Sequence, residues 1–349
     1  MSDYLVELRD SARQVISAAA LPADEDSTWS LLSELGWLLA SVPEELDGLG
    51  LGVQGAGVLH TELGRGLSEA PFLPAVMALD AVCHSDLADK TGWVGRLTSG
   101  DCVTASLADS ALELQRANGE ATLTGLASAV QSADRASHAL VWTNDAACIA
   151  LVCLEQAGVE RIERPTWDTT RRLFDLRFTQ VALDEQLVLA AGPDARDLIA
   201  RVQTLRDFGL AADSLGGAAA LLDLTVEHLI TRRQFGRPLA LFQALKHRCA
   251  DLKTALAAAQ AMQNDSLARM ADHIGSPEAQ LSGQKSKYLA CSVFSQVAEE
   301  SLQLHGGIGM ASEHPCHLFL KRAMLNEHLG TGGGSYAADI ADSFLSSLS

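Results

Sequence analysis

At 349 residues the chain is long for one hydrophobic core, so two or three packed subdomains are expected. Hydrophobic residues make up 48% and charged residues 20%, a globular composition that excludes a largely disordered chain. The formal net charge of −18 excludes an extended nucleic-acid-binding surface, because phosphate contacts require a basic patch, but it allows a local basic pocket for a small anion.

The seven cysteines predict a reducing compartment. Their number is odd, none forms a C-x-x-C pair, and most lie in apolar runs, which is typical of buried free thiols. The N-terminus is charged from Asp3, unlike a secretory signal, and the longest uninterrupted apolar run, nine residues over 146–154, is too short to cross a bilayer. We therefore expect a soluble, cytoplasmic protein with no membrane and no nucleic-acid partner.

Residues 1–100 are predicted to form an N-terminal helical domain. The segment "DSTWSLLSELGWLLASVPEELDGLGLG" has a capping serine or threonine before an apolar-periodic stretch, and it closes in a glycine-rich turn over 48–52. A further short helix is predicted to end near Gly64 or Gly66.

Residues 101–190 are predicted to form a small β domain. The segment "RRLFDLRFTQVAL" alternates apolar and polar residues with the period of two of a half-buried strand. The segments "ALVWT" and "CIALVCL" are typical of buried strands, and "RANGEATLTG" of a hairpin that turns at Asn118 and Gly119.

Residues 191–349 are predicted to form a helical bundle. Apolar residues recur at alternating spacings of four and three from Leu215 to Leu229, and again from Leu245 to Ala259. A third helix is predicted over residues 284–304. Long helices joined by tight turns indicate an antiparallel four-helix bundle. The fold class is therefore α+β, with helical, β and helical-bundle parts in that order.

Two segments of the bundle carry a family likeness. In "TRRQFGRPLALFQALKHRCAD", the pattern R-x-Q-F-G-x-P, then a glutamine and K-H-R-x-A-D, resembles the C-terminal bundle of flavin-dependent acyl-CoA dehydrogenases. The segment "LQLHGGIGMASEHPCHLFLKRA" resembles that family's H-G-G-x-G…E-x-P signature. Weaker likenesses are "PTWDTTRRLFDLRF" to its D-x-T-R stretch and "PEELDGLGLG" to its N-terminal turn. The four matches lie in the family's order between residues 43 and 323.

The resemblance implies an FAD cofactor and an acyl-CoA thioester substrate. In the family, the equivalents of Arg232, Gln234 and Phe235 reach across a subunit interface to the neighbour's flavin. The full set of cofactor-binding residues that it implies is Arg232, Gln234, Phe235, Gln243, His305, Gly306 and Gly307. An arginine fork suits a pyrophosphate, and glycines let the backbone approach a ligand closely. Taken alone, the arginines would also fit a solvated helix C-terminus, and the two glycines a helix cap.

The catalytic base that the resemblance implies is missing from its expected place. The family's reaction removes the α-proton of the thioester with a glutamate in an E-G-T triplet, which here reads G-T-G over residues 330–332, beginning at Gly330. Nearby Glu327 fits a surface glutamate. A minority of the family carries the base ahead of R-x-Q-F-G, at the position of Arg206, with Asp207 beside it. Asp207 is therefore the candidate base, and a solvated aspartate at a helix N-terminus is the alternative.

The predicted β domain also departs from the family pattern. "VTASLADSALEL" stands where the resemblance expects T-E-P-x-A-G-S-D, and the following segment lacks the tryptophan and threonine of W-I-T-N-G. The part that cradles this chain's own flavin ring is thus expected to be degraded, whereas the part that reaches a partner's flavin is intact. This asymmetry, with the ending "EHPCHLFLKRA", resembles the non-base-bearing subunit of bacterial α2β2 heterotetrameric acyl-CoA dehydrogenases of sterol and steroid side-chain breakdown.

Three hypotheses follow from these residues. The leading one is an acyl-CoA dehydrogenase subunit that completes the FAD site of a paralogous partner and is active only with it. The second is a self-sufficient dehydrogenase with a displaced base, Asp207 or Glu327. The third is a structural or binding subunit that holds neither flavin nor CoA. Asp213, on the same predicted helix as Asp207, is expected to be structural or interfacial.

Overall fold

The computed structural model of the protein describes residues 3–117, 119–331 and 333–346. Helices come first, then strands, then helices again, so the predicted α+β class and element order are confirmed. The N-terminal helices are α1 (Asp3–Ala18), α2 (Glu25–Glu34), α3 (Gly52–Arg65), α4 (Phe72–Cys83) and α5 (Lys90–Thr98).

The cap of α2 differs from the prediction. The Asp24 carboxylate accepts a hydrogen bond from the backbone N–H of Ser27 at 2.9 Å, so an aspartate caps this helix in place of a serine or threonine. The substitution is physically equivalent, because any short side chain with an oxygen can satisfy a free N–H of the first helical turn.

The strands of the described residues form two four-stranded sheets and a short hairpin. One sheet has the order β1-β4-β5-β8, with β1 and β4 parallel, and the other has the order β2-β3-β7-β6 and is antiparallel throughout. The strands are β1 (Val103–Ala105), β2 (Ser110–Ala117), β3 (Glu120–Gln131), β4 (His138–Trp142), β5 (Cys148–Cys153), β6 (Val159–Arg164), β7 (Leu173–Ala182) and β8 (Val188–Ala191).

The predicted strands are confirmed. In β7, Phe174, Leu176 and Phe178 are buried and Arg177 is exposed, as the period of two requires. The strands β2 and β3 pair as an antiparallel hairpin. Asn118, predicted at its turn, lies outside the described residues.

The helices of the C-terminal part are α6 (Pro193–Thr231), α7 (Gln243–Met270), α8 (Pro277–His305), α9 (Cys316–His328) and α10 (Gly333–Ser346). Helix α6 has 39 residues and contacts α3, α4, α7, α8 and α9, so it is the central element of the fold. Helix α8 begins earlier than predicted. Ser276 caps it, accepting from the N–H of Ala279 at 3.1 Å, and Pro277 supplies a favourable first residue, two start signals that apolar periodicity does not reveal.

Glycines let α3 and α6 cross closely. A Cβ added to Gly216 would overlap the backbone carbonyl of Thr61, and one added to Gly64 would overlap the backbone of Asp213. Two helix backbones can approach this closely only where neither carries a side chain. The crossing holds the middle of α6 inside the molecule.

Among the described residues, α6 is the one helix long and apolar enough to cross a bilayer, but 72% of its apolar window is buried inside the fold. Its apolar composition is therefore explained by core packing against neighbouring helices. The search for the longest uninterrupted apolar run did not detect this helix, because polar residues, such as Asp213 and Ser214, interrupt its apolar sequence.

A buried ion cluster joins the three parts of the chain. The Arg322 guanidinium on α9 donates to Asp168 at 2.9 Å and to Asp213 on α6 at 3.0 Å, and it also reaches the backbone carbonyl of Ser68 at 3.1 Å. Burial alone would raise the pKa of Asp213, but the charges of Arg322 and Arg171 outweigh it and hold that pKa below its usual value. Asp213 is thus structural, one of the two roles expected for it.

Candidate functional site

The end of α6 forms a projecting hairpin. Strands β9 (Arg233–Gln234) and β10 (Arg237–Pro238) pair, and the two residues between them, Phe235 and Gly236, have φ values of 52° and 77°. Positive φ at both central residues is the requirement of the tight hairpin turn called type I′. Glycine adopts it freely, whereas phenylalanine adopts it at a cost.

Phe235 gains little from burial to offset this cost. Its side chain is 87% exposed, the most exposed large hydrophobic residue of the described chain. Its ring lies 6.1 Å from that of Phe242, edge to face, and Arg237 stacks on Phe242 at 4.0 Å. A strained, solvent-exposed aromatic ring at a hairpin tip indicates a contact with something outside the chain.

The predicted cofactor-binding residues come together at this end of the bundle. Arg232 caps the C-terminus of α6, Gln243 is the first residue of α7, and Gly306 caps the C-terminus of α8. The rings of His228 on α6 and His305 on α8 lie 4.5 Å apart, which fixes the two helix ends side by side. Arg232 and Gly306, more than seventy residues apart in the sequence, thus lie at the same end of the bundle.

Most of these residues are exposed and available. Arg232, Gln234, Gln243, Gly306 and Gly307 are all exposed. Within the described residues, neither Arg232 nor the neighbouring Arg233 forms an ion pair, which leaves two guanidinium groups without an internal counter-charge. The N-terminal end of α7 adds the positive end of a helix dipole.

His305 is the exception, because its side chain is only 6% exposed. Its Nδ1 lies 2.8 Å from the backbone carbonyl of Ser301, its Nε2 has no hydrogen-bond partner, and its ring lies between those of His228 and His314. The imidazole is therefore a buried packing residue next to the Gly306–Gly307 segment, and its side chain is not exposed to a ligand. Gly306 needs glycine for its conformation, since its φ is 65°.

Apolar side chains surround the arginines. Val226, Ile230, Leu241, Ile308 and Met310 are exposed at the same end of the bundle as Phe235. We call this surface the bundle-end face: the residues Val226, Ile230, Arg232, Arg233, Gln234, Phe235, Arg237, Leu241, Gln243, Gly306, Gly307, Ile308 and Met310. Exposed aromatic and aliphatic residues with arginine are the composition of protein interfaces.

The two candidate positions for a base lie next to each other in space. A Cβ placed on Gly330, after α9, would be 3.4 Å from the Asp207 carboxylate on α6. Asp207 and Gly330 are separated by more than a hundred residues in the sequence. In the fold, these two positions that the family likeness offers for the base are adjacent. Gly330 has a φ of 81° and donates its N–H to the carbonyl of Leu107 at 2.6 Å.

Asp207 is not a solvated aspartate at a helix N-terminus, so that alternative is wrong. Helix α6 begins at Pro193, and Asp207 lies in its interior with 4% exposure. Its Oδ1 accepts hydrogen bonds from the Tyr336 hydroxyl at 2.7 Å and from Nε of Arg206 at 3.1 Å. The alternative failed because Pro193, the residue that marks the true start of the helix, lies 14 residues before Asp207.

Glu327 is also more constrained than a surface glutamate. It is partly buried, and one carboxylate oxygen accepts from the Ser295 hydroxyl at 2.8 Å. Its backbone carbonyl accepts from the buried ammonium group of Lys287 at 3.1 Å. Both contacts hold the end of α9 on α8, so the residue has a structural role in this chain.

Polar groups of the predicted flavin-ring region bond within the chain. The Thr104 hydroxyl donates to the carbonyl of Gln131 at 2.6 Å, and the Ser106 hydroxyl donates to that of Ser128 at 2.5 Å. The Gln131 amide donates to the carbonyl of Glu69 at 3.1 Å. All three side chains are buried, and these bonds tie the sheets to each other and to the N-terminal helices.

The bundle-end face and the base positions are far apart. Arg232 lies 25 residues after Asp207 on α6, and at the rise of an α-helix this separation is about 37 Å. The residues that sequence reasoning missed, Tyr336 and Lys287, belong to no recognisable motif and are found only by their contacts.

Comparisons with known proteins agree along most of the chain. The acyl-CoA dehydrogenase N-terminal domain matches residues 4–101, and the acyl-CoA dehydrogenase C-terminal domain matches residues 205–338. The acyl-CoA dehydrogenase IpdE2 of Mycobacterium tuberculosis is 32% identical over 309 residues, which cover 87% of this chain and 83% of that protein.

Solved structures show the same fold. The ChsE4–ChsE5 complex from Mycobacterium tuberculosis contains a chain that is 22% identical, with a TM-score of 0.88 and coverage of 99% of this chain and 98% of that one. The Tcur3481–Tcur3483 steroid ACAD, a G363A variant, has a chain that is 24% identical, with a TM-score of 0.86 and coverage of 99% of both chains.

Proposed function

The chain belongs to the acyl-CoA dehydrogenase family of oxidoreductases, and we propose that it acts within this family as the subunit that completes the FAD site of an unlike, paralogous partner. The single observation that carries the proposal is the bundle-end face. Its arginines, glutamines and strained, exposed Phe235 are arranged to contact another molecule, about 37 Å along α6 from this chain's own base positions.

The exposed side chains fit the phosphate end of FAD. Arg232 offers a planar fork of donors without an internal partner, Gln234 and Gln243 offer amides, and the Gly306–Gly307 backbone is open to close approach. When bound, FAD would supply the hydride acceptor for the α,β-dehydrogenation of the thioester. This chain's residues would bind the pyrophosphate, and Phe235 would exclude water from the join between the two subunits.

The partner, on this proposal, supplies the base and the flavin-ring site. The ChsE4–ChsE5 complex and the Tcur3481–Tcur3483 steroid ACAD each have two named components, which supports an unlike partner. The α2β2 stoichiometry and a steroid-derived or branched acyl-CoA substrate are parts of the proposal itself. The described cysteines are all free, which suits a cytoplasmic location.

The test is co-expression with an unlike paralogue of the family from the same genome. We expect the chain alone to be colourless or poorly flavinated and the co-expressed complex to be yellow. Arg232→Ala should weaken FAD binding by the complex roughly tenfold or more, the effect of one charge-assisted phosphate contact. Arg269→Ala is the matched control, because Arg269 is an exposed arginine at the other end of α7.

Two results would contradict the proposal. A stable yellow homo-oligomer that oxidises acyl-CoA unaided would show that no unlike partner is needed. If flavin content is the same with Arg232→Ala as with Arg269→Ala, the bundle-end face does not bind the cofactor, and the chain is a structural subunit.

One observation favours a second candidate function, a self-sufficient dehydrogenase: Asp207 lies beside the position of the usual base. If Asp207 takes the α-proton, Asp207→Asn should slow flavin reduction by acyl-CoA roughly a hundredfold or more. Our proposal predicts a loss of less than tenfold in the complex, through packing alone. Glu327→Gln serves as the parallel variant for the other displaced carboxylate.

A further inference from the structure

The space beside Gly330 is filled by a tyrosine from the last helix. Tyr336 on α10 is fully buried, and its hydroxyl lies where a side chain at position 330 would project, so that even a Cβ there would overlap it. From this overlap we infer that Tyr336 occupies and closes the base position of this chain, so that no carboxylate can be placed there while the tyrosine remains.

Four residues contact the Tyr336 side chain and hold it in place. Its hydroxyl donates to the Asp207 carboxylate at 2.7 Å and accepts from the backbone N–H of Thr331 at 3.2 Å. The Lys287 ammonium lies 4.5 Å from the centre of its ring, and Arg206 reaches the hydroxyl at 3.5 Å. These contacts come from α6, α8 and the loop before α10, so the ring joins three elements at one point.

The hydroxyl stays protonated and keeps Asp207 occupied. Burial, with the nearby Asp207 charge, raises the pKa of Tyr336 to about 12, so at neutral pH it is a hydrogen-bond donor. Asp207 Oδ1 therefore accepts from both Tyr336 and Arg206. Of the two base positions, one is filled by the tyrosine and the other is hydrogen-bonded to it.

Glycine at position 330 is then required by the tyrosine as well as by the backbone. The φ of 81° alone would disfavour any other residue. The overlap with the Tyr336 hydroxyl adds a second, independent cost. This inference rests on the proposed function only where it treats position 330 as the family's base position; the filling of the space by Tyr336 does not depend on it.

The Tyr336 ring also lines a cavity. Tyr336 lines a cavity of about 320 Å³, together with Lys287, Cys291 and Glu327. Truncation of the ring in Tyr336→Ala would extend this cavity to Gly330. The space would keep the Asp207 carboxylate and the Thr331 N–H that bind the tyrosine hydroxyl, so it should accept phenol, which restores the missing ring and hydroxyl.

The first experiment measures phenol binding to Tyr336→Ala in the full chain. We expect millimolar phenol to raise the melting temperature of Tyr336→Ala by several degrees and to leave that of Tyr336→Phe, whose cavity stays filled, within about one degree. Equal shifts for the two variants would overturn the inference.

The second experiment does not require Tyr336→Ala to fold. Gly330→Ala is introduced into the wild type and into Tyr336→Phe, which lacks only the overlapping oxygen. We expect Gly330→Ala to lower the melting temperature by about 5 °C or more in the wild type and by less than half as much in Tyr336→Phe. The same drop in both backgrounds would show that the hydroxyl does not occupy the position.

Neither readout depends on flavin. If the tyrosine does not fill the position, both experiments fail while the effect of Arg232→Ala on FAD binding persists. If both succeed and the chain alone still oxidises acyl-CoA, the proposed function is wrong and the assignment of Tyr336 stands.

Discussion

His60 shows how one buried side chain sets a pH response. It lies on α3, its Nδ1 is 2.8 Å from the carbonyl of Ala56, and its ring packs on Phe72 at 4.6 Å. Burial lowers the pKa of His60 to about 4, against 6.5 for an exposed histidine, so the folded protein keeps it neutral. As pH falls below the unfolded value, the unfolded chain takes up a proton first.

The consequence is a loss of stability on the acid side. The contribution of His60 is fully present above pH 6.5 and is lost as pH falls towards 4, by up to about 3 kcal/mol. In urea unfolding at a series of pH values, His60→Leu should flatten the decline between these two limits. His273→Leu, an exposed histidine, should retain the wild-type slope. A His60→Leu slope equal to the wild type would contradict the pKa assigned to this residue.

At the scale of elements, Arg322 connects α9 to α6 and to the segment before β7 through buried ion pairs. Its removal would leave the carboxylates of Asp168 and Asp213 buried without their main counter-charge. Breaking one side of a buried ion cluster costs about 3–5 kcal/mol, far more than the Coulomb energy of a surface pair. Arg322→Met should therefore lower the free energy of unfolding by about that amount.

The matched control is Arg269→Met. Arg269 pairs with Asp265 one turn away at 3.0 Å, with 70% of its side chain exposed. Its removal should cost less than about 0.5 kcal/mol in the same urea titration. Comparable losses for the two variants would mean that the cluster around Arg322 is no more important than a surface pair.

The hairpin of β9 and β10 predicts effects of opposite sign on stability and on assembly. Phe235 has a left-handed φ of 52° and is exposed, so Phe235→Gly should stabilise the isolated chain by up to about 1 kcal/mol. The same change removes an aromatic anchor from the bundle-end face, and the Kd of the complex should rise roughly tenfold or more.

Trp167 provides the control for Phe235. It is an aromatic residue of comparable exposure, 80%, in the strand region and outside the bundle-end face. Trp167→Ala should leave the Kd of the complex within about threefold of wild type. Melting curves measure the stability of the isolated chain, and a binding titration with the partner measures the Kd of the complex. Equal losses of affinity in Phe235→Gly and Trp167→Ala would mean that the interface lies elsewhere.

At the scale of the whole molecule, the separation of the two sites decides the cofactor stoichiometry. The bundle-end face lies about 37 Å from the base positions along α6, and the hydroxyls of Thr104 and Ser106 in the predicted flavin-ring region are bonded internally. We therefore expect about one FAD for each pair of unlike chains, against one for each chain in a self-sufficient enzyme. This stoichiometry is measured as the amount of FAD, from its absorbance, divided by the amount of each chain in the purified complex. A ratio of two FAD to each pair would contradict the shared-site proposal.

Local patterns were sufficient to predict the element types. The alternation in β7 and the apolar stripes of α6 and α7 depend on near neighbours, so the strand and helices were predicted from sequence. The motifs around Arg232 and Gly306 likewise identified the family, because their spacing lies within single segments. The start of α8 was misplaced because its signals are the Ser276 cap and Pro277, and not a periodicity.

By itself, then, the sequence determined the class of fold and the family, and it predicts that the family's glutamate position falls at Gly330. Only the tertiary structure decided that Asp207 is buried, that Tyr336 fills the space beside Gly330, and that the arginine hairpin lies far from both. The physical reason is the separation along the sequence of the residues that interact. Helices, strands and motifs follow from contacts within a few residues, whereas the surroundings of Asp207 are made by residues 129 positions away, which meet only when the bundle packs.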